Sequence, residues 1–202
     1  HLEFLVEELS VKEALQNLVP RILGADHTFR VHPHQGKPDL LSKLPQRLRG
    51  YSRCIPPDTR IVVVVDRDND ACVELKARLE DVAAECGLVT PGSVSLHGQC
   101  QVLNRIAIEE LEAWFLGDIE ALMCVYPRLS SSLVRKARYR DPDSVVGGTW
   151  EALERILQKA GYHQAGLPKV QVAREVSRHM DPDRNRSRSF VAFRDGLRHL
   201  VG

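Results

Sequence analysis

The sequence predicts an α/β fold in which a mainly parallel sheet is flanked by helices and is followed by an all-helical C-terminal part. Two observations support this prediction. Short apolar segments alternate with helical patterns up to about residue 120, as expected for strands joined by helical crossovers. Beyond that point only helical patterns are found. We therefore expect an α/β domain over residues 1–120 and a helical subdomain, packed on it, over residues 121–202.

The first four predicted elements alternate between strand and helix. Residues 2–6 form a short apolar segment that ends at an acidic pair and predicts the first strand. Apolar residues recur at helical spacing over residues 11–22, with Ser10 as the expected N-cap. Apolar and polar side chains alternate over residues 28–34, which predicts the second strand. Leucines at three- and four-residue spacing over residues 40–48 predict the second helix.

The third predicted strand contains the longest purely apolar run of the chain. Arg60 is followed by five β-branched residues, at 61–65. A continuous run of this kind is typical of a strand that is covered on both faces in the middle of a parallel sheet. The pattern then predicts a helix, further strand material in two places and another helix, at residues 72–87, 94–96, 102–107 and 109–116.

After residue 120 the strand signal disappears. Turn-forming Asp-Pro-Asp, Gly-Gly and Gly-Leu-Pro segments separate stretches of helical spacing. A stretch rich in Arg and Ser precedes the last of them. The four predicted helices cover residues 133–139, 150–160, 169–179 and 190–200.

The composition is that of an ordinary soluble domain. The chain has 202 residues, of which 43% are hydrophobic and 27% are charged, and this excludes intrinsic disorder. Its longest apolar run is far shorter than the ~20 residues that a membrane-spanning helix needs. The first residues lack the basic segment of a secretory signal, so we expect a cytoplasmic protein. The five cysteines lack the Cys-x-x-Cys spacing of a zinc site or redox pair.

The net charge of +1 is the sum of two oppositely charged parts. Residues 1–134 contain 14 Lys and Arg against 19 Asp and Glu, a net −5, and residues 135–202 contain 14 against 8, a net +6. A basic part beside an acidic site can supply contacts to the phosphates of DNA or RNA. The alternative, that these cations pair with the acidic part or face solvent, remains open. The candidate contacts are Arg184, Arg186 and Arg188, together with Arg135, Lys136, Arg138 and Arg140.

Carboxylates follow two of the predicted strands. Glu7 follows the first strand, and Asp66 and Asp68 follow the third, with Asp70 two residues further on. Open parallel sheets bind ligands at the carboxyl ends of their strands. In an extended chain, a spacing of two points Asp66 and Asp68 to the same side, where they can hold one hard divalent cation such as Mg²⁺ or Mn²⁺. Phosphoryl transfer is the reaction class that most needs such a site.

The acidic segment at residues 66–70 permits other interpretations. An EF-hand loop needs Gly at its sixth position and Glu at its twelfth, where this chain has Ala71 and Ala77, so that interpretation fails. The nucleophile motif of haloacid-dehalogenase phosphatases needs Thr or Val where Asn69 stands. The acidic residues can also be turn formers and helix caps, with Asp70 at the positive end of the next helix. This last alternative remains open.

Glu112 and Lys37 are further candidates. Glu109 and Glu112 lie three residues apart in a predicted helix and therefore share one face, where they can serve a second metal ion. Glu112 is preferred because it lies beside the aromatic pair at residues 114–115. A solvated acidic face is the alternative. Lys37 lies on the turn that leaves the second strand and can reach a phosphate, and an exposed lysine is the alternative there.

A Glu that closes the first strand, followed much later by a hydrophobic strand that ends in Asp-x-Asp, resembles the signature of Toprim domains, which occur in topoisomerases, primases and several nucleases. Over nearly its whole length the chain also resembles the bacterial family known as domain of unknown function 4276, itself Toprim-like. The Glu-Leu-Glu-Ala-Trp-Phe-Leu block at residues 110–116 is the most specific part of the resemblance, and Arg105, at the start of the matched segment that contains this block, joins the candidates for phosphate binding. The resemblance runs through residues 4–8, 36–40, 66–70, 105–118 and 186–190.

The resemblance implies a Toprim/Rossmann-like fold and a Mg²⁺-dependent phosphodiesterase or nuclease that acts on nucleic acid. Glu7 would be the general acid/base, and Asp66 and Asp68 the metal ligands, with Glu112 or Asp70 assisting. Toprim-like proteins of this kind often accompany an ATPase in defence against phage or foreign DNA, which implies such a partner.

One position departs from the Toprim pattern. Toprim domains usually have Gly directly after the catalytic Glu, and this chain has Glu8 there. A second acid at this position can join the metal site or repel phosphate. The alternative function is therefore a non-catalytic binding or regulatory module with the same fold.

Overall fold

The computed structural model describes residues 1–93 and 99–202 and has an α/β fold, as predicted. All neighbouring strands are parallel, and their order in the sheet is β2-β1-β3-β4. The expected strand material at residues 94–96 lies outside the described residues. The strands are β1 (Leu2–Val6), β2 (Phe29–Pro33), β3 (Arg60–Asp66) and β4 (Val102–Ala107).

Helices connect the strands and follow the last of them. The first three are α1 (Leu9–Leu23), α2 (Lys37–Cys54) and α3 (Cys72–Glu85). The C-terminal part is helical, as predicted, and among the described residues no helix has the length and apolar character needed to cross a membrane. Its helices are α4 (Glu112–Gly117), α5 (Ile119–Val125), α6 (Thr149–Lys159), α7 (Lys169–Ser177) and α8 (Arg188–Val201).

The central strands β1 and β3 are buried on both faces. Successive side chains of a strand point to opposite faces, and both faces of the sheet carry an apolar layer. Phe4 and Val62 face the layer that contains α1, whereas Leu5 and Val63 face the layer formed with α2 and α3. The apolar run at residues 61–65 is at most 1% exposed, which explains why it has no polar alternation.

The C-terminal helices share the core of the α1 layer. Val172 of α7 belongs to the same buried cluster as Leu15 of α1. Trp114 of α4 stacks on Phe193 of α8 with 4.9 Å between ring centroids, and Phe190 meets it edge-on at 5.3 Å. Aromatic contacts of this geometry stabilise a core beyond the area that they bury, so α4 and α8 are held firmly together.

Two predicted helix starts are wrong. Glu8 occupies the N-cap of α1, and Ser10 lies buried in the first turn instead of capping it. Helix α4 begins only at Glu112 because Glu109 has a φ of 59°, in the left-handed region, which a right-handed helix cannot include. Glu109 and Glu112 therefore do not share a helix face, and Glu109 forms an ion pair with Arg67.

The predicted helix at residues 133–139 is also wrong. The chain forms two short 3₁₀ turns there, Ser131–Arg135 and Ala137–Tyr139. Leu133 and Tyr139 are both buried. Their spacing of six residues would place them on different faces of an α-helix, so a helix in this segment would not bury both side chains.

Candidate functional site

The loops that follow β1, β3 and β4 lie at one edge of the sheet because all the strands are parallel. These loops, together with the last residue of β3 and the first of α4, carry acidic residues at positions 7, 66, 68, 70, 109, 110 and 112. The structure therefore brings the carboxylates of three chain segments to the carboxyl edge, where open parallel sheets bind their ligands.

Glu7 joins three elements at this edge. Its Oε1 accepts the backbone N–H of Lys37 at 2.9 Å, and its Oε2 accepts the N–H of Asp66 at 2.9 Å. Its backbone oxygen accepts the N–H of Gly36, whose φ of 87° turns the chain toward α2. The residue is 6% exposed. Glu7 is thus fixed between β1, β3 and the beginning of α2.

Opposing influences act on the carboxyl group of Glu7. Burial raises its pKa above the ordinary value, and the charge of Asp68 adds to this effect. The N–H donated by Asp66 and the nearby ammonium group of Lys37 act in the opposite direction. The net result is a raised pKa, which brings Glu7 closer to the range in which a carboxyl group exchanges protons near neutral pH.

Asp66 is the last residue of β3. Its carboxyl group interacts with those of Glu7, Asp68, Glu110 and Glu112, and we call these five residues the carboxylate cluster. Asp66 Oδ1 is buried and has no hydrogen-bond partner. Burial raises its pKa well above the ordinary value, and the charges of Glu7 and Glu112 raise it further. A buried carboxylate oxygen without a donor is costly, so this atom would gain from a proton or a cation.

Asp68 and Asp70 surround the ammonium group of Lys37. Lys37 Nζ lies 2.7 Å from Asp68 Oδ2 and 2.8 Å from Asp70 Oδ2, and it donates to the backbone oxygen of Arg67. Burial alone would lower the pKa of Lys37, but these two partners raise it above its ordinary value. The ammonium group of Lys37 is therefore already paired with two aspartates of the loop after β3.

The backbone after β3 also differs from the predicted extended chain. Asp68 has a φ of 48°, in the left-handed region, so the strand pleat does not continue from Asp66 to Asp68. The extended conformation on which the same-side expectation depends is therefore not present at Asp68. Asp68 and Asp70 are exposed, whereas the Oδ1 atom of Asp66 is buried.

Glu112, the first residue of α4, is more deeply buried than the loop acids Glu109 and Glu110 that precede it. It is 4% exposed. Burial raises its pKa to about 7; Lys169 lowers it, and Glu110 raises it. Glu110 in turn accepts the backbone N–H of Trp150 at 2.9 Å and thereby caps the beginning of α6. Near neutral pH, Glu112 therefore exists in both protonation states.

Lys169 completes the cluster and was not predicted from the sequence. It is half-buried at the beginning of α7, and its Nζ lies 4.4 Å from the centre of the Trp150 ring. Burial lowers its pKa, but the surrounding carboxylates, first Glu112 and then Glu110, raise it above its ordinary value. A cation at a helix N-terminus opposes the helix dipole, and this unfavourable placement is the signal by which its acidic partners could have been suspected.

The remaining phosphate-binding candidates lie elsewhere. Arg105 donates from Nε to the backbone oxygen of Ala192 at 3.0 Å and so connects β4 to α8. Arg184 donates two hydrogen bonds to Asp118, at 2.9 and 3.0 Å. For Arg184 the alternative of pairing with an acid is thus the one observed.

Arg186 and Arg188 differ in the exposure and the partners of their side chains. Arg186 donates to the backbone oxygens of Arg140 and Leu116, at 3.2 and 3.5 Å. Arg188 has a side chain that is 86% exposed and lies 3.7 Å from Asp141. Arg188 is therefore the member of this basic segment that is most open to a ligand.

The donor atoms of the cluster fit a hard cation in type. They are carboxylate oxygens, and Asp66 Oδ1 is unpartnered. In the part of the chain that the structure describes, no group of three or more His, Cys, Asp or Glu side chains is arranged to hold a metal ion. Mg²⁺ often takes only one or two carboxylates and completes its shell with water and phosphate oxygens. Asp66 with one neighbouring carboxylate fits that smaller requirement.

Comparison with known proteins gives one match. No curated protein and no solved structure matches the chain. A family model matches residues 6–198, which is almost the whole sequence and includes every acid of the carboxyl edge. The chain therefore belongs to the family described as domain of unknown function DUF4276.

Proposed function

We propose that the protein is a Mg²⁺-dependent phosphodiesterase of Toprim type that cleaves DNA or RNA, with the carboxylate cluster as its active site. The observation that carries the proposal is the buried, unpartnered Oδ1 of Asp66 at the carboxyl end of a central strand. Neighbouring carboxylates raise the pKa of Asp66 further. Groups whose pKa is strongly perturbed in this way concentrate at functional sites.

The residues of the carboxylate cluster would have different roles in this reaction. Asp66 and Glu112 would hold Mg²⁺ or Mn²⁺, since their burial makes an added positive charge most favourable. Bound there, the ion supplies charge neutralisation on the phosphate and an activated water molecule. Glu7 would exchange the proton, because its carboxyl group is held rigidly and has a raised pKa. Lys169 offsets the mutual repulsion of the carboxylates.

The wider role follows from the Toprim resemblance. Toprim-like proteins of this kind often accompany an ATPase in defence against phage or foreign DNA. We extend the proposal to such a partner and to a cytoplasmic location. Co-purification of the tagged protein with an ATPase from its own host tests this extension.

A second candidate function is a non-catalytic module with the same fold. The observation that favours it is the ammonium group of Lys37, which lies between Asp68 and Asp70 at 2.7 and 2.8 Å. A resident cation at these two carboxylates reduces their need for a metal ion. Glu8, in place of the usual Gly, points in the same direction.

A cleavage assay separates the two functions. Labelled single-stranded DNA, duplex DNA and RNA are incubated with the full chain in Mg²⁺, in Mn²⁺ and in EDTA. The variant is Asp66→Asn, which keeps the shape of the side chain. The matched control is Asp26→Asn, an exposed aspartate in the loop before β2, at the opposite edge of the sheet.

The phosphodiesterase predicts cleavage that requires the metal, is retained in Asp26→Asn and falls at least about 100-fold in Asp66→Asn, as expected for loss of a metal ligand. Equal cleavage by both variants would exclude Asp66 from the reaction. Absence of cleavage by the wild type, with nucleic acid still bound, would favour the non-catalytic module.

A further inference from the structure

A groove in the C-terminal helical part is not used by the cluster at the carboxyl edge. It has a volume of about 470 Å³ and is lined by α6 and by residues 128–139, and ligand sites commonly have volumes of this order. Five cations line it, whereas none of the described residues that line it is acidic. They are Arg128, Lys136, Arg138, Arg155 and Lys159.

Within the described part of the chain, these five cations have no acidic side chain at ion-pair distance. Over residues 1–93 and 99–202, the ion pairs of the structure involve none of them. Arg128 lies over the Tyr162 ring, 4.1 Å from its centre, and donates to the backbone oxygen of Gly161 at 3.0 Å. A cation that is already held in place loses less entropy when a ligand binds. The groove therefore presents a partly organised positive surface to an anion.

The floor of the groove is apolar. Leu129 and Leu133 are each 6% exposed, Ile156 is 7% exposed, and Tyr139 is 9% exposed with Arg138 over its ring. A nucleic-acid duplex presents sugars and phosphates outward and keeps its bases stacked inside. A single strand also exposes the faces of its bases, which pack on aromatic and apolar side chains. Cations around an apolar floor therefore favour a single strand.

Helix α6 connects this groove to the carboxylate cluster. At the beginning of α6, the backbone N–H of Trp150 donates to Glu110, and at the end of the helix Lys159 lines the groove. The nine residue steps between Trp150 and Lys159 correspond to about 14 Å at ~1.5 Å per residue. A strand of a few nucleotides covers this distance, so one molecule can contact both places.

We infer that the groove binds single-stranded nucleic acid and holds the strand on which the carboxylate cluster acts. The inference rests on the proposed function, since it names the substrate class of that site. Phosphates of the strand contact the five cations, and its bases pack on the apolar floor.

Binding without cleavage tests the inference. Fluorescence anisotropy measures the affinity of the full Asp66→Asn chain for a labelled single-stranded oligonucleotide, as DNA and as RNA, and for the matching duplex, all in EDTA. The groove variant adds Arg155→Glu and Lys159→Glu. The matched control adds Arg49→Glu and Arg53→Glu, two exposed cations with the same four-residue spacing on α2, which change the net charge equally.

The inference predicts that the groove variant binds the single strand at least about tenfold more weakly than the control and that the slope of log K against log salt flattens by about 1.4, since each lost contact to a single strand removes ~0.7. It also predicts that the control variant binds the duplex more weakly than it binds the single strand. Equal affinities of the two variants, or duplex binding as tight as that of the single strand, would overturn it.

Two further measurements keep the result unambiguous. Circular dichroism checks the fold, and if the double reversal unfolds, Arg155→Gln with Lys159→Gln removes the same contacts without adding acid. Because the assay contains neither metal nor a cleaving enzyme, groove-dependent binding supports the assignment of the groove as a single-strand site even if the nuclease proposal fails. Cleavage by the wild type without groove-dependent binding overturns the inference and leaves the nuclease proposal standing.

Discussion

Replacing Glu112 by Gln should stabilise the protein at alkaline pH. Burial raises the pKa of Glu112 to about 7 from an ordinary value of 4.5. Below pH 4.5 the group is protonated in both the folded and the unfolded chain, so its ionisation costs nothing. Between pH 4.5 and 7 the folded chain retains the proton that the unfolded chain has lost, and the free energy of unfolding therefore falls as the pH rises.

The size of the effect follows from the pKa difference. At ~1.4 kcal/mol per pKa unit, a rise from 4.5 to about 7 corresponds to a penalty of about 3 kcal/mol that is complete above pH 7. A neutral Gln does not carry this penalty. We therefore expect Glu112→Gln to raise the free energy of unfolding by up to about 3 kcal/mol at pH 8 and by close to zero at pH 4.5.

Urea denaturation followed by circular dichroism at several pH values measures this difference. The matched control is Glu74→Gln, an exposed glutamate in the first turn of α3, whose replacement should change the stability by less than ~0.5 kcal/mol. The reasoning that burial raises the pKa of Glu112 would be refuted if Glu112→Gln were less stable than the wild type at pH 8. It would also be refuted if the stability difference between the two proteins did not depend on pH.

Two other substitutions follow from the structure. Lys169→Met removes the cation that faces Glu112 and Glu110. Urea denaturation should therefore show a loss of stability that is larger at pH 8 than at pH 5. Equal losses at both pH values would show that the charge of Lys169 does not stabilise the fold. Gly117→Ala places a Cβ about 2.1 Å from Asn185 Oδ1 and 3.0 Å from the backbone nitrogen of Ser187. We therefore expect overpacking to lower the free energy of unfolding by about 2 kcal/mol. An unchanged thermal midpoint would contradict the close packing of α4 on the segment before α8.

Much of the α/β part could be predicted because local patterns determine it. The β-branched run at residues 61–65 is buried on both faces, as its composition indicates. The alternation at residues 28–34 gave β2 within one residue at each end. Here the hydrophobic spacing in the sequence and the two-layer burial in the structure express the same physical requirement.

The site was harder to predict because its charges meet only in the folded chain. Glu7 and Asp66 could be found because each lies where a recognisable strand ends. Glu112 was selected for its position beside the aromatic pair at residues 114–115. Lys169 was missed, because its carboxylate partners lie more than fifty residues away in sequence and only its position at a helix N-terminus hinted at them. Arg184 has the same difficulty, since its partner Asp118 is 66 residues away.

Backbone conformation set a second limit. The left-handed φ of Asp68 turns the chain out of the strand direction, and that of Glu109 delays the beginning of α4. Neither residue is a glycine, so composition gives little warning of such a conformation. Both lie in the loops that form the carboxyl edge, where the simple spacing rules for strands and helices no longer apply.

The most direct test of the proposed metal-dependent site is a crystal structure of the protein grown with Mn²⁺ and measured at the manganese absorption edge. We predict an anomalous peak about 2.1 Å from the Asp66 carboxylate, the usual length of a bond between a small divalent cation and oxygen, with Glu112 as a second ligand. Absence of a peak at this cluster in Mn²⁺-saturated crystals would contradict the assignment.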